Sequence, residues 1–282
     1  MRLSVPNAEG CLALTFGVHI RGAISLSYED VGSGPMAVFQ HGLGGNAAQV
    51  ADVFPAVPAM RRVTLECRAH GGSAAGPLSD LSISTFADDV AALADRLGTG
   101  RRVVGGISMG AAIALRLAVR RPDLVGALVL GRPAWLFAAA PDNMGPIALV
   151  AELLRSHALP VAREKFERSE IAMRLAREAP NNLVSLRSLF ANSDPATRAA
   201  LLGSIAKDSP GVTETKARGI SVPTLVIGTV EDTIHPLCFA ATLAATIPGA
   251  TLVKITSKSV DPISHSAEFR AALADFLQRV IV

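Results

Sequence analysis

Apolar positions along the chain follow two rhythms. Within residues 12–28, stretches such as "AISLSY" alternate apolar and polar side chains, which predicts the opening strands of a hairpin. "EDVGSGP" reads as a turn. "MAVFQ" (36–40) is a short continuous apolar run, the pattern of a strand covered on both faces. "HGLGGNAAQ" leads into a predicted helix near 46–54, and "RRVTLEC" (61–67) predicts the next buried strand. After the loop "AHGGSAAGP", Phe86, Val90, Leu93 and Leu97 recur on one helical face, with Ser84 as the N-cap. "RRVVGGI" (101–107) predicts a strand, 109–120 a helix and "VGALVLG" (125–131) a strand.

After Pro133 the alternation stops. Residues 141–209 carry the helical patterns "IALVAELL", "EKFERSEIAMRLARE", "NNLVSLRSLF" and "ATRAALLGSI", with no convincing strand. Alternation resumes with the strand "PTLVIG" (223–228), a helix near 236–246, the strand "TLVKI" (251–255) and a closing amphipathic helix over 266–280. Strands alternating with helices predict an α/β fold, a mostly parallel sheet flanked by helices on both faces. The expected organisation is a core of 1–132 and 218–282 with a helical cap, 133–217, inserted between two of its strands. No internal repeat or low-complexity tract interrupts this.

Composition narrows the function classes. At 282 residues the chain is long enough for one large domain with a sizeable core. The net charge is only +3, and basic pairs such as Arg61–Arg62, Arg101–Arg102 and Arg120–Arg121 are scattered among acids. With one Tyr and one Trp, neither a basic stripe nor a stacking platform for nucleic acid is expected. The three cysteines, Cys11, Cys67 and Cys238, are odd in number and widely spaced, which suits a reducing compartment. The start "MRLSVPNAEGC" lacks a signal-peptide pattern, and no long uncharged apolar run predicts a membrane span. A cytoplasmic protein acting on a small-molecule substrate is expected, with a homodimer left open.

Candidate chemistry centres on one turn. Gly106-Ile107-Ser108-Met109-Gly110 is the sole G-x-S-x-G in the chain, with a strand before it and a helix after. A sharp strand-to-helix turn strains its central residue, demands small neighbours and projects the hydroxyl beyond the sheet edge. The amides of the helix start then lie beside it, where developing negative charge is stabilised. A serine nucleophile needs a base. Of six histidines (19, 41, 70, 157, 235 and 265), His265 is the best placed: it follows the last strand, and the carboxyl ends of parallel strands share one edge. Asp232, after the strand 223–228, is the favoured acid to orient it, with Glu231 and Asp261 still open.

The order Ser108, Asp232, His265 is that of the α/β-hydrolases. The sequence resembles that family over nearly its whole length, through "LSYEDVGSGPMAVFQHGLGG", "ECRAHGGS", "GGISMG" and "VIGTVEDTIHP". The resemblance implies a serine triad, a variable helical cap, and an oxyanion hole formed by the amides of Leu43 and Met109. His41 is expected to brace its loop, and Gly42 to let backbone approach the substrate. Ala69 departs from the family, where Gly is usual, and leaves one local turn in question.

A rival reading exists. Gly42 to Ala47 fits G-x-G-x-x-A between a strand and a helix, and Glu66 follows about 20 residues on, a dinucleotide-binding fingerprint. It leaves Ser108, Asp232 and His265 unexplained. No P-loop, H-E-x-x-H or paired C-x-x-C occurs, so no metal or cofactor is implied. His41, Gly42, Arg132, Trp135, Phe137 and Met144 are the candidate pocket residues, Arg132 more naturally solvated or salt-bridged than as a carboxylate grip. The expected activity is hydrolysis of an ester, lactone, thioester or amide through an acyl-enzyme. The alternatives are carbon–carbon bond hydrolysis on the same residues, an NAD(P)-binding oxidoreductase, or a receptor that binds without turnover.

Overall fold

The computed structural model describes residues 3–4, 14–57, 60–191 and 194–280. Cys11 and the first two residues of the predicted hairpin lie outside them. Three strands open the chain: β1 (Leu3–Ser4), β2 (Leu14–Arg21) and β3 (Ile24–Gly32), with β2 and β3 joined by a tight turn at Gly22. The α/β alternation follows as β4 (Met36–Gln40), α1 (Ala47–Ala51), β5 (Arg61–Leu65), α2 (Ile83–Leu97), β6 (Arg102–Ile107), α3 (Met109–Arg120) and β7 (Val125–Gly131). Six helices come next: α4 (Gly145–Ser156), α5 (Leu159–Glu167), α6 (Glu170–Glu178), α7 (Pro180–Ser188), α8 (Pro195–Ala206) and α9 (Glu214–Arg218). The chain closes with β8 (Thr224–Thr229), α10 (Leu237–Thr246), β9 (Thr251–Ile255) and α11 (Pro262–Val280).

The described strands form one sheet in the order β1-β2-β3-β5-β4-β6-β7-β8-β9. Pairing is antiparallel from β1 to β5 and parallel from β5 to β9. Continuous apolar runs become doubly buried strands because successive side chains point to opposite faces. In β4, Ala37 and Phe39 face α11's Phe269 and Phe276, whereas Val38 joins Phe86, Val90 and Leu93 of α2 in the other layer.

Several local expectations shift. Ser82, not Ser84, caps α2, its hydroxyl accepting from the Thr85 amide. This brings Ile83 into the core, while Ser84 accepts from Arg116 at 2.6 Å. "EKFERSEIAMRLARE" breaks into α5 and α6, because Ser169 restarts the helix by capping Ala172. The final helix begins at Pro262, four residues early: proline's fixed φ suits a first turn, and the Asp261 carboxylate accepts from the Ile263 and Ser264 amides. Cys67 is buried and Cys238 exposed, both as free thiols. Among the described residues, no helix is long and apolar enough to cross a membrane.

Candidate active site

The parallel strands end on one edge, and the loops leaving them carry the chemistry. β4 delivers "HGLGG", β6 delivers Ser108, β7 Arg132, β8 Glu231 and Asp232, and β9 Thr256 to Ser259. Three of these exits, Ser108 (φ 56°), Arg132 (φ 45°) and Glu231 (φ 52°), are non-glycine residues at positive φ. Such backbone costs about 1–3 kcal/mol per residue and collects where geometry serves a site.

Ser108 sits at φ 56°, ψ −112°, with its amide bonded to the Gly131 carbonyl at 2.9 Å. Its flanking glycines are obligatory. A Cβ on Gly110 would lie 2.3 Å from the Gln40 carbonyl oxygen, and one on Gly106 would lie 2.5 Å from the Gly110 carbonyl carbon. The elbow packs this tightly because β4, β6 and the start of α3 meet there.

The "HGLGG" loop lies beside the serine: a Cβ on Gly42 would be 3.5 Å from that of Ser108. Two buried histidines brace it. His41 Nε2 accepts from the Cys67 amide at 3.0 Å, so its Nδ1–H donates to the Gly42 carbonyl at 2.8 Å. His70 Nε2 accepts from the Gly44 amide at 3.0 Å while Nδ1–H donates to Arg68 O. Burial lowers both pKa values and keeps the rings neutral at pH 7. Gln49 fixes the Gly42 amide at 2.7 Å. The amides of Leu43 and Met109 donate to no other described residue.

A cavity of about 90 Å³ opens at this edge, walled by Gly42, Leu43, Ser108 and Arg132 from the sheet side and by Met144, Ile147, Leu186 and Leu189 from the helices between β7 and β8. Ile234 and His235 also line it, with Gln49, Ile107 and Ser185. A larger hollow of about 510 Å³ lies at the opposite edge, around the starts of β4, β6 and β7. It contains neither a serine nor a histidine, so it offers no equivalent chemistry.

Four placements differ from expectation. His41 is fully buried and does not line the cavity. Trp135 is 2% exposed, in the core beneath the helices, and Phe137 packs against that core. The greatest difference concerns His265. Because α11 starts early, this residue lies inside the helix, 1% exposed, with Nδ1–H donating to the Thr256 carbonyl at 2.8 Å. It makes no hydrogen bond to Asp232 and is not part of the cavity wall. Burial, then the nearby Arg132 guanidinium, lowers its pKa to about 4.

Asp232 is engaged elsewhere. Oδ2 accepts from Arg132 Nε at 3.0 Å and Nη2 at 2.5 Å, and Oδ1 from Asn182 Nδ2 at 2.8 Å and the His235 amide at 3.1 Å. His235 Nδ1 lies 2.9 Å and 3.0 Å from the two carboxylate oxygens. Burial alone would raise the Asp232 pKa, but its interactions with His235 and with the Arg132 guanidinium outweigh it and hold the carboxyl well below its usual range. Asn182, on α7, also accepts from the Thr233 amide at 2.8 Å, so one buried amide ties the helices to the acid's loop. Asp261 caps α11 and Glu231 is exposed, which leaves Asp232 as the buried carboxylate of this edge. Asn182 and Gln49 carry no sequence motif. The histidine of Asp232-Thr233-Ile234-His235 was legible as a D-x-x-H spacing.

The dinucleotide reading fails on geometry. Glu66 is spent on the Ala47 amide (3.3 Å) and the Gly72 amide (2.6 Å), and α1 has only five residues. Ala69 adopts φ 61°, so the turn that usually takes glycine keeps its shape with an alanine under strain. Among the described residues, no cluster of three or more His, Cys, Asp or Glu side chains could hold a metal ion.

Known proteins share this architecture. The chain is 34% identical over 115 residues to 2-(acetamidomethylene)succinate hydrolase of Mesorhizobium japonicum, a match spanning 38% of this chain and 39% of that protein. It is 26% identical over 227 residues, 78% of this chain and 82% of the relative, to "Putative carbamate hydrolase RutD" of Klebsiella pneumoniae. In structure it resembles the enol-lactonase of Burkholderia xenovorans LB400, with a TM-score of 0.71 and 25% identity over 93% of this chain and all of that one. It also shares the fold of a thermophilic esterase of Thermogutta terrifontis, with a TM-score of 0.73 and 23% identity over the whole of both chains. The family model described as alpha/beta hydrolase fold matches residues 37–257. With its sheet order, serine elbow and helices between β7 and β8, this chain belongs to the α/β hydrolase fold family.

Proposed function

We propose that the protein is a serine hydrolase that cleaves a carboxylic ester, lactone, thioester or amide of small to medium size through an acyl-enzyme on Ser108. The observation that carries this reading is Ser108 itself, on the cavity wall with Leu43 and held at φ 56°, with the amides of Leu43 and Met109 undonated. Attack of Oγ on a carbonyl carbon makes an alkoxide, which the Leu43 and Met109 amides bind without reorganising. One such donor is worth about 2.7–4 kcal/mol in the transition state. A neutral imidazole at the same edge takes the serine proton, gives it to the leaving group, and then activates the water that frees the acyl group. The helices between β7 and β8 serve as a cap that supplies apolar walls and keeps water from the reaction. The relatives include hydrolases of a lactone and of an acetamidomethylene compound, which fits attack on a carboxyl-derived carbonyl.

The test is hydrolysis of p-nitrophenyl acetate and labelling by a fluorophosphonate. Both should be lost in Ser108→Ala, and retention of either in that variant sinks the reading. The Arg132–Asp232 ion pair favours one second reading, binding without turnover, because it occupies the acid. Tight binding of a lactone or ester with no product formed would support that instead.

A further inference from the structure

We propose that His235, presented to the cavity by Asp232, is the histidine that exchanges protons with Ser108, and that His265 is a structural residue of α11. The inference rests on the serine hydrolase reading above and assigns its base.

Two placements carry it. First, His235 and Ser108 are walls of the same cavity, whereas His265 is not. Second, the carboxylate at this edge is bonded to His235 and not to His265. The two imidazoles also differ in what fixes them. His265 spends Nδ1–H on the Thr256 carbonyl inside the first turns of α11. His235 has both Asp232 oxygens within 3.0 Å of Nδ1. Arg132 Nη2, which donates to Asp232 Oδ2, also lies 3.1 Å from Nδ1. Two carboxylate oxygens facing a ring lone pair at closer range would be repelled, so we assign the hydrogen to Nδ1, which donates it to Asp232. Nε2 therefore holds the lone pair, the tautomer a general base requires.

The surroundings keep that base in order. Asn182 Nδ2 and the His235 amide hold Asp232 Oδ1, and Arg132 holds Oδ2. The charged groups acting on His235 are Asp232 from its own loop, Arg132 from the end of β7, and Lys258 from the loop after β9. Burial lowers the His235 pKa most, Asp232 opposes it, and Arg132 adds to it, so the ring is neutral at pH 7.

The step balances without a cofactor. As the Ser108 Oγ–carbon bond forms, its proton moves to His235 Nε2 and the carbonyl π pair moves to oxygen. When the carbon–leaving group bond breaks, that proton goes to the leaving group. Water repeats the sequence and restores Ser108. Acid and base thus come from one four-residue turn, Asp232 to His235.

Paired asparagine variants test the assignment, since Asn Nδ2 reproduces the Nδ1–H donor and lacks Nε2. His235→Asn keeps the Asp232 contact and should lose roughly 100- to 10,000-fold in kcat on p-nitrophenyl acetate, the usual worth of a general base. KM should hold, fluorophosphonate labelling should slow by a similar factor, and added imidazole should restore turnover to His235→Ala. His265→Asn keeps the Thr256 contact and should stay within about threefold of wild type, allowing for the distance-dependent coupling of non-contacting sites. Circular dichroism of each variant establishes that it is folded. A large loss in folded His265→Asn, or His235→Asn with undiminished kcat, overturns the assignment. Undiminished hydrolysis in Ser108→Ala defeats the hydrolase reading itself, a separate outcome.

Discussion

Stability at position 108 should invert the ordinary ranking of alanine and glycine. Ser108 lies at φ 56°, ψ −112°, outside the regions open to a residue with a Cβ. Ser108→Ala keeps the Cβ and the strain. Ser108→Gly removes both. Strain of this kind is worth about 1–3 kcal/mol. Against it stands the extra unfolded-state entropy of glycine, about 0.5–1 kcal/mol. No capping bond complicates the comparison, because the Ser108 hydroxyl caps nothing in α3. The net expectation is that Ser108→Gly is more stable than Ser108→Ala by about 1 kcal/mol. For a chain of this size that is roughly 2–4 °C in Tm. Scanning calorimetry of both proteins at pH 7, with urea unfolding as a second measure, reads the difference. Ser204, inside α8, is the control: there Gly should be less stable than Ala by about 1 kcal/mol. Should Ser108→Gly melt at or below Ser108→Ala, the elbow stores no strain and the argument for a built nucleophile loses its physical base.

Other expectations can be checked alongside. Gly110→Ala pushes a Cβ against backbone atoms of Gln40 and His41, so it should destabilise by about 3 kcal/mol or prevent soluble expression, read by yield and thermal melt. Asn182→Ala removes a donor to Asp232 and strands the Thr233 amide, which should cost about 2 kcal/mol by urea unfolding and lower kcat. Arg132→Met removes a charge that lowers the His235 pKa, so the acid limb of kcat/KM should move to higher pH; an unmoved limb counts against His235 as the titrating group. His265 titrates at about 4 in the folded chain against an ordinary 6.5. The unfolded chain therefore binds more protons between those values, and stability should fall as pH drops from about 6.5 to 4. His265→Gln should flatten that slope in acid-unfolding curves.

The elements that position the site were written in the sequence, because periodicity and glycine placement act locally. "MAVFQ" and "GGISMG" specify a strand and an elbow without reference to anything distant, and both formed at the expected residues. His265 illustrates a misread signal: Asp261-Pro262 is a helix-start pair, and reading it would have put the histidine inside α11. The ion pair of Arg132 with Asp232 joins residues 100 positions apart, and only the sheet order of β7 beside β8 brings them together. Asn182 was invisible for a different reason. An asparagine on a short amphipathic helix is ordinary until the loop it meets is known.

That asparagine binds the roof to the floor. Lifting α7 away from the strands would remove the hydrogen bond that Asp232 accepts from Asn182 and leave the Thr233 amide bare in the same movement. Any displacement of α7 therefore alters two things at once, the charge balance at the carboxylate and the pairing of the loop that carries it.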